Sequence, residues 1–127
     1  SNLYREYFSS RVRIHKRDSS HDLCQAFMFD ETFDKDFSED RIDAFHINGH
    51  TPGLTFYIFE DVLFICDYVF LKDGEMRYNP FGPVKDTGDG GRMLKNIIEK
   101  REINVVCGFN YVVDYVEWKA KFDNLCV

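Results

Sequence analysis

A histidine is held in a rigid turn, Gly49-His50-Thr51-Pro52-Gly53, and a carboxylate, Asp67, closes the apolar run Val62-Leu63-Phe64-Ile65-Cys66. Each follows a β-rich stretch, so the imidazole and the carboxylate can converge at one edge of a sheet. Both are good ligands for a borderline cation, and the chemistry the pair suits is zinc binding. On the residues alone, a turn histidine satisfied by backbone groups and a carboxylate ending a strand are the plainer readings. His46 lies one helical turn before His50, but Gly49 and Pro52 break any helix and no Glu follows His46. The helical HExxH zinc motif is therefore excluded, and His46 reads as a strand residue. Gly88-Asp89-Gly90-Gly91 follows no strand and lacks the Lys-Ser/Thr ending of a phosphate loop, so it reads as a loop and helix start.

The elements that must position the pair follow from periodicity. Arg41 to Ile47 alternates polar and apolar at period two, and Asn48-Gly49 with Thr51-Pro52-Gly53 supplies turn chemistry. Leu54 to Phe59 and Val62 to Ile65 form a hairpin through Glu60-Asp61, giving three successive strands between 41 and 67. Upstream, 11–15 reads as a strand. Residues 19–29 fit either a helix opening at Ser19 or Ser20 or a strand through Phe27-Met28-Phe29. The acid-rich stretch from Asp30 to Asp40 reads as a solvated loop pinned by Phe33 and Phe37. After Asp67 come an apolar patch, Tyr68 to Leu71, and a loop rich in turn formers: Lys72-Asp73-Gly74, Asn79-Pro80 and Gly82-Pro83. A helix is predicted over 92–100, because Met93, Leu94, Ile97 and Ile98 share one face. A buried strand over 103–107 and a last helix over 112–123, with Val112, Val113, Val116 and Ala120 inward, complete the order. The pattern fits a layered α/β domain, a sheet with flanking helices.

Composition bounds the rest. A chain of 127 residues, 44% apolar and 17% aromatic, can bury one core, and a single domain over 1–127 is expected. Its net charge of −6 disfavours nucleic-acid partners. The sequence contains neither an apolar run long enough for a membrane span nor a signal pattern at its start, so a cytoplasmic protein without membrane partners is expected. Cys24, Cys66, Cys107 and Cys126 have no short metal or redox spacing and read as reduced, mostly buried thiols.

The run Phe45-His46-Ile47-Asn48-Gly49-His50-Thr51-Pro52-Gly53-Leu54-Thr55-Phe56-Tyr57 resembles the PGHTPG segment of metallo-β-lactamase-fold hydrolases. Val62-Leu63-Phe64-Ile65-Cys66-Asp67-Tyr68-Val69-Phe70 is similar to their vLFtGD-x-vF strand. The resemblance extends more faintly over 11–18 and 86–108. It implies part of the αββα sandwich, metal-dependent hydrolysis, and roles for His50 and Asp67 as a metal ligand and a bridging ligand, with zinc as the ion. Two departures bear on activity. Where the family expects Gly-His after its later strand, this sequence has Gly108-Phe109-Asn110. The His-x-His-x-Asp-His motif is absent, and His15, His21, His46 and His50 cannot supply it. The resemblance thus implies a C-terminal portion, inactive unless the missing ligands come from elsewhere, with an unknown small-molecule substrate. The alternative is a non-catalytic binding or self-association domain, expected to be a homo-oligomer because a half-fold exposes sheet surface and edges.

Overall fold

The computed structural model describes residues 2–26, 28–47, 49–82 and 84–125, and gives no side-chain environment for 2, 84 and 85. The readings at Phe27, Asn48, Pro83 and Cys126 lie outside the described residues.

The chain forms two compact units that meet between Lys35 and Asp36 in sequence. The first contains α1 (Asn2–Phe8), β1 (Arg13–His15), α2 (Asp22–Gln25) and β2 (Glu31–Phe33), with β1 and β2 paired in parallel. α2 starts after His21 rather than at Ser19 or Ser20, because the His21 Nδ1 accepts from the Leu23 N–H and fills the cap position. β2 also corrects the loop expected from Asp30: its Glu31 and Phe33 pair with Arg13 and His15.

The second unit is built on a six-stranded sheet of β3 (Phe37–Glu39), β4 (Ile42–His46), β5 (Thr55–Phe59), β6 (Val62–Cys66), β9 (Val105–Gly108) and β10 (Val112–Asp114), ordered β10-β9-β6-β5-β4-β3. All neighbours are antiparallel except β6 and β9, which are parallel and joined by a crossover through α3 (Val84–Ile98). The three strands expected between 41 and 67 are β4, β5 and β6. Between Asp67 and α3 stands a second hairpin, β7 (Val69–Lys72) and β8 (Glu75–Tyr78), in place of the expected loop. Asp73 and Gly74 both have positive φ, the backbone a two-residue turn of that hand demands.

α3 and α4 (Tyr115–Leu125) set Leu94, Ile98, Trp118 and Phe122 into one cluster with the sheet residues Phe56, Ile58, Leu63, Ile65 and Val106. All nine are at most 4% exposed, and each contributes roughly 1.5–3 kcal/mol of apolar burial. Two helix readings are corrected. α3 starts at Val84 and runs through Gly88-Asp89-Gly90-Gly91, where Gly90 and Gly91 are buried. Tertiary burial there overrides a propensity penalty of about 1 kcal/mol per glycine. α4 starts at Tyr115, because the Asp114 carboxylate accepts from the Val116 and Glu117 N–H groups and caps it, while β-branched Val112 and Val113 join the sheet. Its inner face is Trp118 and Phe122; Val112 and Val116 are exposed.

The thiols are also less buried than expected: Cys66 is exposed and Cys24 and Cys107 are intermediate, all three free. Among the described residues, no helix is long and apolar enough to cross a membrane.

Candidate metal centre

β4 ends at His46, and its pairing with β5 places Thr55 opposite. The turn between these strands carries His50. His46 fastens that turn by donating from Nε2 to the Pro52 carbonyl at 2.8 Å. Gly49 is buried against Leu54 and Tyr68, where a Cβ would stand 3.0 Å from each side chain. Tyr68, fully buried, reaches the Thr87 carbonyl of α3 with its hydroxyl. The turn is thus braced by the residue that directly follows Asp67.

His50 and Asp67 do converge: Nε2 lies 3.3 Å from Oδ2, with the two side chains 20% and 39% exposed. The other ring nitrogen, Nδ1, is 3.0 Å from the Phe81 carbonyl. A carbonyl only accepts, so Nδ1 carries a proton, and in the neutral ring Nε2 turns its lone pair towards a carboxylate. Two acceptors that close are compatible only with a cation between them, either a proton completing the imidazolium or a metal ion. Ligands bound at about 2.1 Å to a tetrahedral ion stand roughly 3.4 Å apart, close to the observed separation.

The pair therefore fits two vertices of a zinc-type site. The remaining vertices do not follow: among the described residues, no group of three or more His, Cys, Asp and Glu side chains could hold a metal. Phe109, where the resemblance expects a histidine, is 76% exposed and meets Phe70 edge-on at 6.4 Å. Cys66 adjoins Asp67 at a positive φ, and desolvation, followed by the Asp67 charge, raises its thiol pKa in the metal-free chain. A catalytic zinc needs three protein ligands and an open position, which this set does not provide.

Three participants escaped the sequence reading: Asn79, Phe81 and Gly82. They stand in the run read only as turn formers, and the Asn79-Pro80 and Gly82 turn signals were their one trace.

No family model matches the chain, and no curated protein matches it. Solved structures do. A metallo-β-lactamase from Pontibacter korlensis superposes with a TM-score of 0.71 at 14% identity, covering 97% of this chain and 62% of that one. An archaeal metallo-β-lactamase superfamily protein from Sulfolobus tokodaii gives 0.64 at 10% identity, covering 97% and 60%. A further protein, TTHA1623, solved in a di-iron-bound form, gives 0.66 at 16% identity, covering 94% and 67%. The chain has the metallo-β-lactamase fold, a mixed α/β sheet with helices, and spans about three fifths of the length of the first two.

Proposed function

We propose that this chain supplies half of a zinc site in a metal-dependent hydrolase, with His50 and Asp67 as two of the ligands, and that residues 1–127 alone do not catalyse hydrolysis. The observation that carries the reading is the facing of His50 Nε2 and the Asp67 carboxylate at the ligand separation of a tetrahedral ion. The fold supports the reaction class, while the lack of a third donor among the described residues supports the inactivity. A complete site would polarise an ester, thioester, amide or phosphoester and generate a hydroxide; this chain's part is to hold two ligand atoms in place. The reading includes a cytoplasmic setting without membrane partners, and the net charge of −6 supports the lack of nucleic-acid partners. Zinc competition against a chromogenic chelator, beside hydrolysis of model esters, thioesters and β-lactams, tests the reading. Weak binding of one ion per chain with no turnover is expected; turnover by this chain would overturn the inactivity, and no binding would overturn the site.

A second reading, self-association without catalysis, is favoured by the sheet itself. Ala44, Tyr57, Phe64, Cys107 and Val112 align in register across five strands, on the face opposite the buried row of Ile58, Leu63 and Val106. Ala44 at one end of the row is buried, while Phe64 is 38% and Val112 69% exposed, so a second copy laid on the Phe64 and Val112 end of that face would bury apolar area. Sedimentation at high concentration decides: a homo-oligomer is expected, and a stable monomer would contradict it.

A further inference from the structure

Asn79 is 6% exposed, far from the polar surface where asparagine ordinarily sits in a loop. Its side chain makes two hydrogen bonds of opposite sense. Nδ2 donates to the Asp67 carbonyl at 2.9 Å, and Oδ1 accepts from the Phe81 N–H at 2.9 Å. A carbonyl cannot donate and an N–H cannot accept, so the two partners fix the amide orientation uniquely. Its own backbone N–H donates to the Tyr68 carbonyl at 3.0 Å. The Phe81 peptide held in this way presents its carbonyl to His50 Nδ1 at 3.0 Å.

The loop also lies hard against the His50 backbone. Gly82 adopts φ +110°, and a Cβ there would come within 2.7 Å of the His50 carbonyl oxygen and 2.9 Å of its Cα. Only glycine permits that approach. Asn79 thus ties the backbone of Asp67 to the peptide that orients His50, while Gly82 lets the same loop pack against the His50 backbone.

We propose that Asn79 is the positioning residue of the centre: through Asp67 and Phe81 it sets the spacing of the two ligand groups and locks His50 in the tautomer whose Nε2 is free. Ring partners of this kind fix the tautomer of a metal-binding histidine, and their loss costs metal affinity. The purpose of the clamp rests on the proposed ligand role of His50 and Asp67, but its test does not.

Long-range 1H–15N correlation spectra of metal-free protein at about pH 9, where imidazole is neutral, report which His50 nitrogen carries the proton. Wild type is expected to show Nδ1–H. Asn79→Ala is expected to lose that signature and, if zinc binds, to weaken zinc binding about 10–100-fold. Asn79→Asp keeps side-chain volume and the acceptor for Phe81 but loses the donor to Asp67. It is expected to retain the tautomer and to bind zinc more weakly, and it serves where the alanine variant does not fold. A wild-type tautomer in folded Asn79→Ala, or a lost tautomer in Asn79→Asp, would overturn the clamp. An intact, Asn79-dependent tautomer in a protein that binds no zinc would overturn the metal reading and leave the clamp standing.

Discussion

His50 Nε2 faces Asp67 Oδ2 across 3.3 Å, while Nδ1 of the same ring is committed to the Phe81 carbonyl. In the neutral ring these are two facing acceptors, which do little for the fold of the metal-free chain, and even as an ion pair a solvent-accessible contact of this kind is worth under about 1 kcal/mol. Asp67→Asn sets an amide N–H opposite the bare Nε2 and relieves the conflict. The metal-free variant is expected to unfold within about 1 kcal/mol of wild type, or slightly later, in urea. A larger loss would mean that Asp67 serves the fold and not a cation.

Two glycines separate backbone constraint from helix propensity. At Gly88, inside α3, a Cβ would meet nothing nearer than the Arg92 guanidinium at 4.0 Å. Gly88→Ala is expected to stabilise by roughly 0.5–1 kcal/mol. Gly82→Ala forces a side chain into positive φ and against the His50 backbone, and is expected to cost more than about 2 kcal/mol. Parallel urea melts of the two variants check the opposite signs.

Period-two alternation made β4, β5 and β6 legible, because these strands have a distinct buried face: Leu63 and Ile65 point inward where Phe64 and Cys66 do not. The Gly-His-Thr-Pro-Gly turn and Asp67 were legible for the same reason, since they end those strands. Less local features were hidden. The β7–β8 hairpin rests on Asp73 and Gly74, a turn signal that was read as a loop. The glycine-rich start of α3 is helical only because of what it packs against. The capping carboxylate of Asp114 moved the start of α4 and with it the inner face, from the valines to Trp118 and Phe122. Asn79 showed only as a turn former before Pro80; its role comes from two hydrogen bonds to backbone groups, which no side-chain pattern encodes.

Acid sensitivity should pass through Asp123. Lys119, and then Lys95, donate to its carboxylate at 2.5 and 2.9 Å, and these bonds hold its pKa below the ordinary 3.8. A lowered folded-state pKa adds stability that is fully present above about pH 5 and is lost as pH falls through the folded value. Urea melts from pH 7 downward are expected to show a shallower acid decline for Asp123→Asn than for wild type. Parallel declines would show that the lysine bonds contribute nothing to folding.

The central claim is that His50 and Asp67 act together on a metal ion. Elemental mass spectrometry of protein dialysed to equilibrium against zinc, on wild type, His50→Ala and Asp67→Ala, tests it most directly. The expected result is zinc retained by wild type and lost from both variants with the fold intact. Equal zinc in all three, or none in wild type, would contradict the claim.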